Sequence, residues 1–176
     1  KRFLFRSAAS LLSALADLEP QPLGLEALAS LRCRDQFGLK LPGMVIVGSH
    51  VPLSDIQLQK LLENKNCEGV ELSTMKLSRE INRTGCDAFL SELEMECSDK
   101  LLRILERRKT PVLYSSRGEI LFPLASQKIA FGKTLATLMS RLVERVVPHL
   151  GYLISKGGVT THILLSEGLN CKSVHL

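Results

Sequence analysis

The sequence predicts an α/β domain with three layers, in which a mostly parallel sheet carries helices on both faces. Short apolar runs that are typical of strands alternate with helical patterns, as they do in βαβ units. The segments between successive strands are each longer than the roughly dozen residues that a parallel crossover needs. The strands are continuous apolar runs, which indicates that helices cover both faces of the sheet.

The elements of this domain follow one another along residues 44–176. A capping box formed by Ser54 and Gln57 predicts where the helix after the first strand begins. Residues 75–84 have no clear period, so they are either a loop or a short helix. We expect strands at 44–47, 70–72, 111–114, 152–155 and 173–176, and long helices at roughly 87–107 and 126–147.

The last long helix has an apolar stripe at i, i+3, i+4 and i+7 spacing, which predicts its buried face. The stripe consists of Leu135, Leu138, Met139, Leu142, Val143 and Val146. Before the domain, residues 1–31 have a helical pattern rich in leucine and alanine. The composition then changes, and residues 32–43, with their glycines and prolines, are typical of a linker.

Composition excludes several classes of protein. The chain has 176 residues, of which 45% are hydrophobic, and this excludes disorder. The net charge of +5 is mild, aromatic residues are few and tryptophan is missing, so we expect no nucleic-acid partner. No apolar run approaches the roughly 20 residues of a membrane span. Five cysteines without paired spacing favour a reducing compartment, and we expect a cytoplasmic protein.

The most informative stretch is 151–168, where a strand is followed by Gly157 and Gly158 and then by a helix. Thr160 and Thr161 are good N-cap residues, and Gly168 can end the helix in a left-handed conformation. Bare backbone amides at the start of a helix favour an anion such as phosphate. The alternative is a tight turn with a threonine cap. The stretch matches neither the Walker phosphate loop nor the Rossmann glycine motif, which disfavours an NAD-type oxidoreductase.

Three loops follow predicted strands directly, at 48–49, 115–118 and 157–161. Because ligands of parallel sheets bind at the carboxyl ends of the strands, we expect all three loops at one rim, around a phosphate-bearing ligand. Lys156 and Arg117 are candidates for neutralising its charge. A lysine that leaves a strand is more often a solvated side chain, and Arg117 could instead reach a partner domain.

The segments around Gly48, Ser49, Gln57 and 152–161 resemble the nucleotide-binding C-terminal domain of the four-carbon acid sugar kinases. Residues 1–10 resemble the end of the sugar-binding domain that precedes it in that family. The resemblance implies that residues 1–31 are the tail of this N-terminal domain, 32–43 a linker, and 44–176 a nucleotide-binding domain truncated at its C-terminus.

The resemblance also implies an activity, namely the ATP- and Mg²⁺-dependent phosphorylation of a sugar acid such as threonate, erythronate or an oxo-tetronate. In this interpretation Ser49 contacts the nucleotide, and Gly157, Gly158, Val159 and Thr160 form the loop around its phosphates. No catalytic base stands out, and we expect it in the sugar-binding domain, so that residues 1–176 alone would be inactive. The alternative is a non-catalytic α/β module that binds a ligand or a partner.

Overall fold

A computed structural model describes residues 14, 17, 24–81, 86–118 and 120–173. The chain divides into two compact units, Lys1–Arg32 and Cys33–Leu176. The described part of the first unit is mainly helix α1, Leu25–Ser30, which buries none of its residues. The predicted last strand at 173–176 lies almost entirely outside the described residues. None of the helices in the described ranges is both long and apolar enough to cross a membrane.

In the described residues the second unit is an α/β fold around a four-stranded, all-parallel sheet, which confirms the predicted fold class. The strand order is β2-β3-β1-β4. The strands are β1 (Gly43–Val47), β2 (Cys67–Leu72), β3 (Thr110–Ser115) and β4 (Tyr152–Lys156). The helices are α2 (Pro52–Leu62), α3 (Thr74–Glu80), α4 (Cys86–Glu106), α5 (Ala125–Val146) and α6 (Gly158–Ile163), the last continuing into a π-helical turn, Leu164–Gly168.

Helices pack on both faces of the sheet, each against its own apolar cluster. On one face α4 and α5 cover Met44, Ile46 and Leu113 in the larger core. All six residues of the predicted α5 stripe are buried there, which confirms that interpretation. On the other face Leu58 of α2 packs against Val45, Val47 and Val112. The odd and even residues of β1 thus point to different helices, so both faces of this strand are buried.

Strand β4 differs from the prediction, because it lies at an edge of the sheet and is not fully buried. Ile154 is 52% exposed and Tyr152 is 39% exposed. The ring of Tyr152 lies over Gly43 on the neighbouring strand, where a β-carbon would collide with it. Helix α2 covers the central strands on this face and leaves Ile154 uncovered. An apolar run therefore predicted this strand correctly but not its position in the sheet.

Two predicted helix signals are wrong. Helix α2 begins two residues before Ser54, with Val51 as its N-cap and Pro52 in the first turn, where a missing N–H costs nothing. The hydroxyl of Ser54 is buried and donates to Ser49 Oγ at 3.0 Å. Gly168 does not end a helix in a left-handed conformation. It belongs to the π-helical turn, and Asn170 has the positive φ, 47°.

The residues predicted as a linker make ordered contacts within the second unit. Cys33 N donates to Gly151 O at 3.0 Å, and Arg34 and Lys40 form an antiparallel bridge.

At the end of α4, Arg107 and Lys109 both pair with Glu68 on β2, at 2.8 and 3.4 Å. These exposed pairs neutralise part of the positive charge of residues 107–109, which follow the helix.

Candidate functional site

A cleft of about 570 Å³ opens at the carboxyl ends of the strands. Its volume lies within the roughly 300–1,000 Å³ of typical small-molecule sites. The lining residues from the loops after β1 and β3 and from the start of α6 are mostly polar, and we call this part of the cleft its polar end. Those from α5 and the loop before it are mostly apolar, and we call this part the apolar end. The three loops that the sequence predicted at one rim do lie together there.

The loops after β1 and β4 touch through two glycines that permit no side chain. A β-carbon on Gly48 would collide with the side chain of Thr160. One on Gly157 would lie 3.0 Å from Ser49 N and 3.2 Å from Gly48 C. Gly48 N also donates to Lys156 O at 2.9 Å, which extends the strand pairing to the rim. The backbones of the two loops therefore approach as closely as chain sterics allow.

Helix α6 starts at this junction, with Gly157 as its N-cap at φ 122° and ψ 118°. Thr160 and Thr161 are inside the helix, so their predicted role as N-caps is wrong. Thr160 is buried against Gly48, and Thr161 Oγ1 forms a 2.7 Å hydrogen bond with Ser155 Oγ. The first intrahelical bond runs from Thr161 N to Gly157 O. By helix geometry the three amides before it have no acceptor inside the helix.

The predicted nucleotide-binding residues occupy different depths of the site. Val159 and Thr160 line the cleft directly, and Val159 is 65% exposed. Gly158 has open space around its Cα on the side where a β-carbon would lie. Ser49 and Gly157 lie at the contact between the loops after β1 and β4, outside the set of residues that line the cleft. The start of α6 is therefore open to solvent and free of blocking side chains. The nucleotide contacts of these residues stay a prediction.

An ion-pair network joins the loops after β1 and β3. Arg117 Nη1 donates to Ser49 O at 2.6 Å and lies 3.2 Å from Asp55 Oδ1 on α2. A 2.8 Å hydrogen bond joins His50 Nε2 to Ser115 Oγ. Burial and the positive charge of Arg117 lower the pKa of His50, and Asp55 opposes them, so a neutral imidazole is favoured near pH 7.

The guanidinium of Arg117 has capacity for another ligand. Its Nε and Nη2 atoms are buried, and neither has a hydrogen-bond partner within the described part of the chain. Buried donors of a charged group are costly to leave unsatisfied. Since Arg117 lines the cleft and its side chain is 25% exposed, its positive charge can attract an anion bound there. Sequence patterns placed Arg117 at the rim but could not link it to Asp55 or His50, because no local signal encodes that contact.

The apolar end of the cleft was not predicted, because the residues on α5 have the same spacing as its core stripe. Phe131 lies one turn before Leu135, the first residue of that stripe, and both line the cleft. Phe122 lies in the loop before the helix. The centroid of its ring is 5.2 Å from that of Phe131, and the two ring planes are tilted by 40°. The other residues that line this end are Ile120, Lys128, Gly132, Ala136 and Met139.

The described residues contain no group of three or more His, Cys, Asp or Glu side chains that could hold a metal ion. Asp55 is the only carboxylate among the described residues that line the cleft, and it pairs with Arg117. Hence the side chains described here do not by themselves fit a Mg²⁺ site.

An all-parallel sheet with glycine loops and a cleft at its carboxyl edge defines the class of α/β ligand-binding domains. The chain belongs to the nucleotide-binding C-terminal domain family, whose model matches residues 44–176, well over half of its length. It is therefore a nucleotide-binding module. In the same comparisons no curated protein and no solved structure matched the chain.

Proposed function

We propose that this chain is the ATP-binding part of a kinase that phosphorylates a four-carbon sugar acid of the threonate, erythronate or oxo-tetronate type. The observation that carries the proposal is the division of the cleft into a polar end at Gly48, Arg117 and Thr160 and an apolar end on α5. A nucleotide has the same division between its phosphates and its base. The resemblance of 152–161 to the four-carbon acid sugar kinases supplies the substrate class.

Phosphoryl transfer depends mainly on positioning and on neutralising charge, and the polar end can contribute to both. The amides of Gly158, Val159 and Thr160 are donors for phosphate oxygens at the positive end of α6. Arg117 adds a cation that Asp55 and Ser49 O hold in place. Ser49 is the predicted contact on the opposite loop. Mg²⁺ would be bound chiefly by the phosphates of ATP, since the described residues form no cluster of metal ligands.

The acceptor hydroxyl needs a general base, and Asp55 is a poor candidate because its carboxylate is already paired with Arg117 at 3.2 Å. We place the base and the sugar-acid site in the N-terminal sugar-binding domain that the resemblance predicts. The activity then belongs to both domains together, and residues 1–176 alone bind ATP without turning it over.

ATP binding is tested with Gly158→Val, which places a branched side chain where the free amides meet solvent. The new side chain has room, since nothing lies within 4 Å of the β-carbon position, so the fold is expected to persist. We expect calorimetric titration with ATP to give binding to the unmodified chain and none to the variant. His162→Val, exposed on the same helix, is the control and should bind normally. Equal binding by both variants would exclude the amides from the site.

The kinase activity is tested on the chain together with its predicted sugar-binding domain. The protein is given ATP, Mg²⁺ and a panel of four-carbon acids, and ADP release is followed. Steady release with one acid, dependent on that acid, is the expected result. No release across the panel, with ATP binding intact, would favour the non-catalytic ligand-binding module instead.

A further inference from the structure

Gly132 stands in the middle of the 22-residue helix α5, where glycine is the least suitable residue apart from proline. Two structural reasons for a glycine do not apply to it. Its φ is not in the left-handed region, and a β-carbon built on it would have nothing within 4 Å. By contrast Gly48 and Gly157 are both required by close contacts. The bare backbone at Gly132 thus leaves open a space that none of the described residues fills.

This space belongs to the apolar end of the cleft. Phe131 and Leu135 lie beside Gly132 on the same face of α5, and the Phe122 ring packs at a tilt against that of Phe131. Both phenylalanines are only partly buried, so their rings still expose apolar surface. The missing side chain at Gly132 leaves a depression in this surface, over the backbone of the helix.

We propose that the base of the bound nucleotide lies flat in this depression, against the backbone of α5 at Gly132 and beside the rings of Phe122 and Phe131. The inference rests on the nucleotide-binding function proposed above and locates the base within that site. A flat aromatic ring fits a surface from which one side chain is missing, because glycine lets a ligand approach the backbone closely. The phenylalanine rings add stacking or edge contacts with the base.

The two ends of the cleft then divide the ligand between them. The start of α6 and Arg117 take the phosphates, and α5 takes the base. Lys128, one turn before Gly132 on the same helix, is exposed at the mouth of the apolar end. Its ammonium group can donate a hydrogen bond to an acceptor on the edge of the base or on the ribose.

The test is Gly132→Leu, measured by calorimetric titration with ATP and, separately, with inorganic tripolyphosphate. Leucine fills the depression but meets no protein atom at its β-carbon, so the variant should fold. Its melting temperature should rise by roughly 2–4 °C, because leucine is the better helix former. Ala130→Leu, exposed on another side of α5 and outside the cleft lining, is the matched control.

We expect Gly132→Leu to weaken ATP binding by roughly ten-fold or more, in line with the loss of one stacked base, and to leave tripolyphosphate binding unchanged. Ala130→Leu should bind both ligands like the unmodified chain. Unchanged ATP binding by Gly132→Leu, or an equal loss of both ligands, would overturn the position of the base. Neither result would contradict the proposed nucleotide binding by the unmodified chain. Failure of the unmodified chain to bind either ligand would overturn the proposed function and this inference together.

Discussion

Replacing Gly157 with alanine is expected to lower the free energy of unfolding and to abolish ATP binding. The residue has φ 122° and ψ 118°, a conformation that costs a residue with a β-carbon about 1–3 kcal/mol. The new carbon would also lie 3.0 Å from Ser49 N and 3.2 Å from Gly48 C. Because these neighbours are backbone atoms of the adjacent loop, no side-chain rotation can relieve the contact, and the two loops must separate.

The measurement is thermal unfolding followed by circular dichroism, together with an ATP titration. A loss of about 1–3 kcal/mol corresponds to a fall in the melting temperature of roughly 2–12 °C for a chain of this size. Gly158→Ala is the matched control, since Gly158 has open space and no positive φ. It should melt at the same temperature as the unmodified chain or slightly higher. Equal melting of the two variants would mean that the junction is not strained.

The alternation of strands and helices could be predicted from the sequence because each element has a local period. This pattern also placed Ser49 and Gly157 at one rim, since parallel strands end on the same side. The capping signals failed because local propensity competed with tertiary contacts. Thr160 packs against Gly48, and Ser54 bonds to Ser49 across the start of α2. A hydroxyl that has a partner in another element is not available as a cap.

The apolar half of the cleft and the Arg117 network could not be predicted, for two different physical reasons. A helical stripe has the same spacing whether it faces the core or a ligand, so Phe131 and Leu135 cannot be told apart from buried neighbours. Arg117 and Asp55 are far apart in the chain, and only the order of the strands brings them together. Strand order is set by which apolar faces the helices cover, which no single segment encodes.

The strand order leads to the second large effect, which is on the free energy of unfolding. The comparison is between an isoleucine-to-alanine substitution on β1 and the same substitution on its neighbour β4. Ile46 on β1 is fully buried between strand neighbours, whereas Ile154 on the edge strand β4 is 52% exposed. Ile46→Ala should lower the free energy of unfolding by about 2–5 kcal/mol, because it removes methyl groups from a packed core and leaves a cavity. Ile154→Ala should cost about 1 kcal/mol or less, as expected for a largely solvated side chain.

Urea unfolding of both variants gives the two free energies, and equal m-values would indicate that the denatured states are comparable. A large difference between the variants is the expected result. It would mean that two strands with similar apolar runs in the sequence are buried to different extents in the fold. If Ile154→Ala were as costly as Ile46→Ala, another segment of the protein would have to cover Ile154 on this face of β4, and the 52% exposure of its side chain would be wrong.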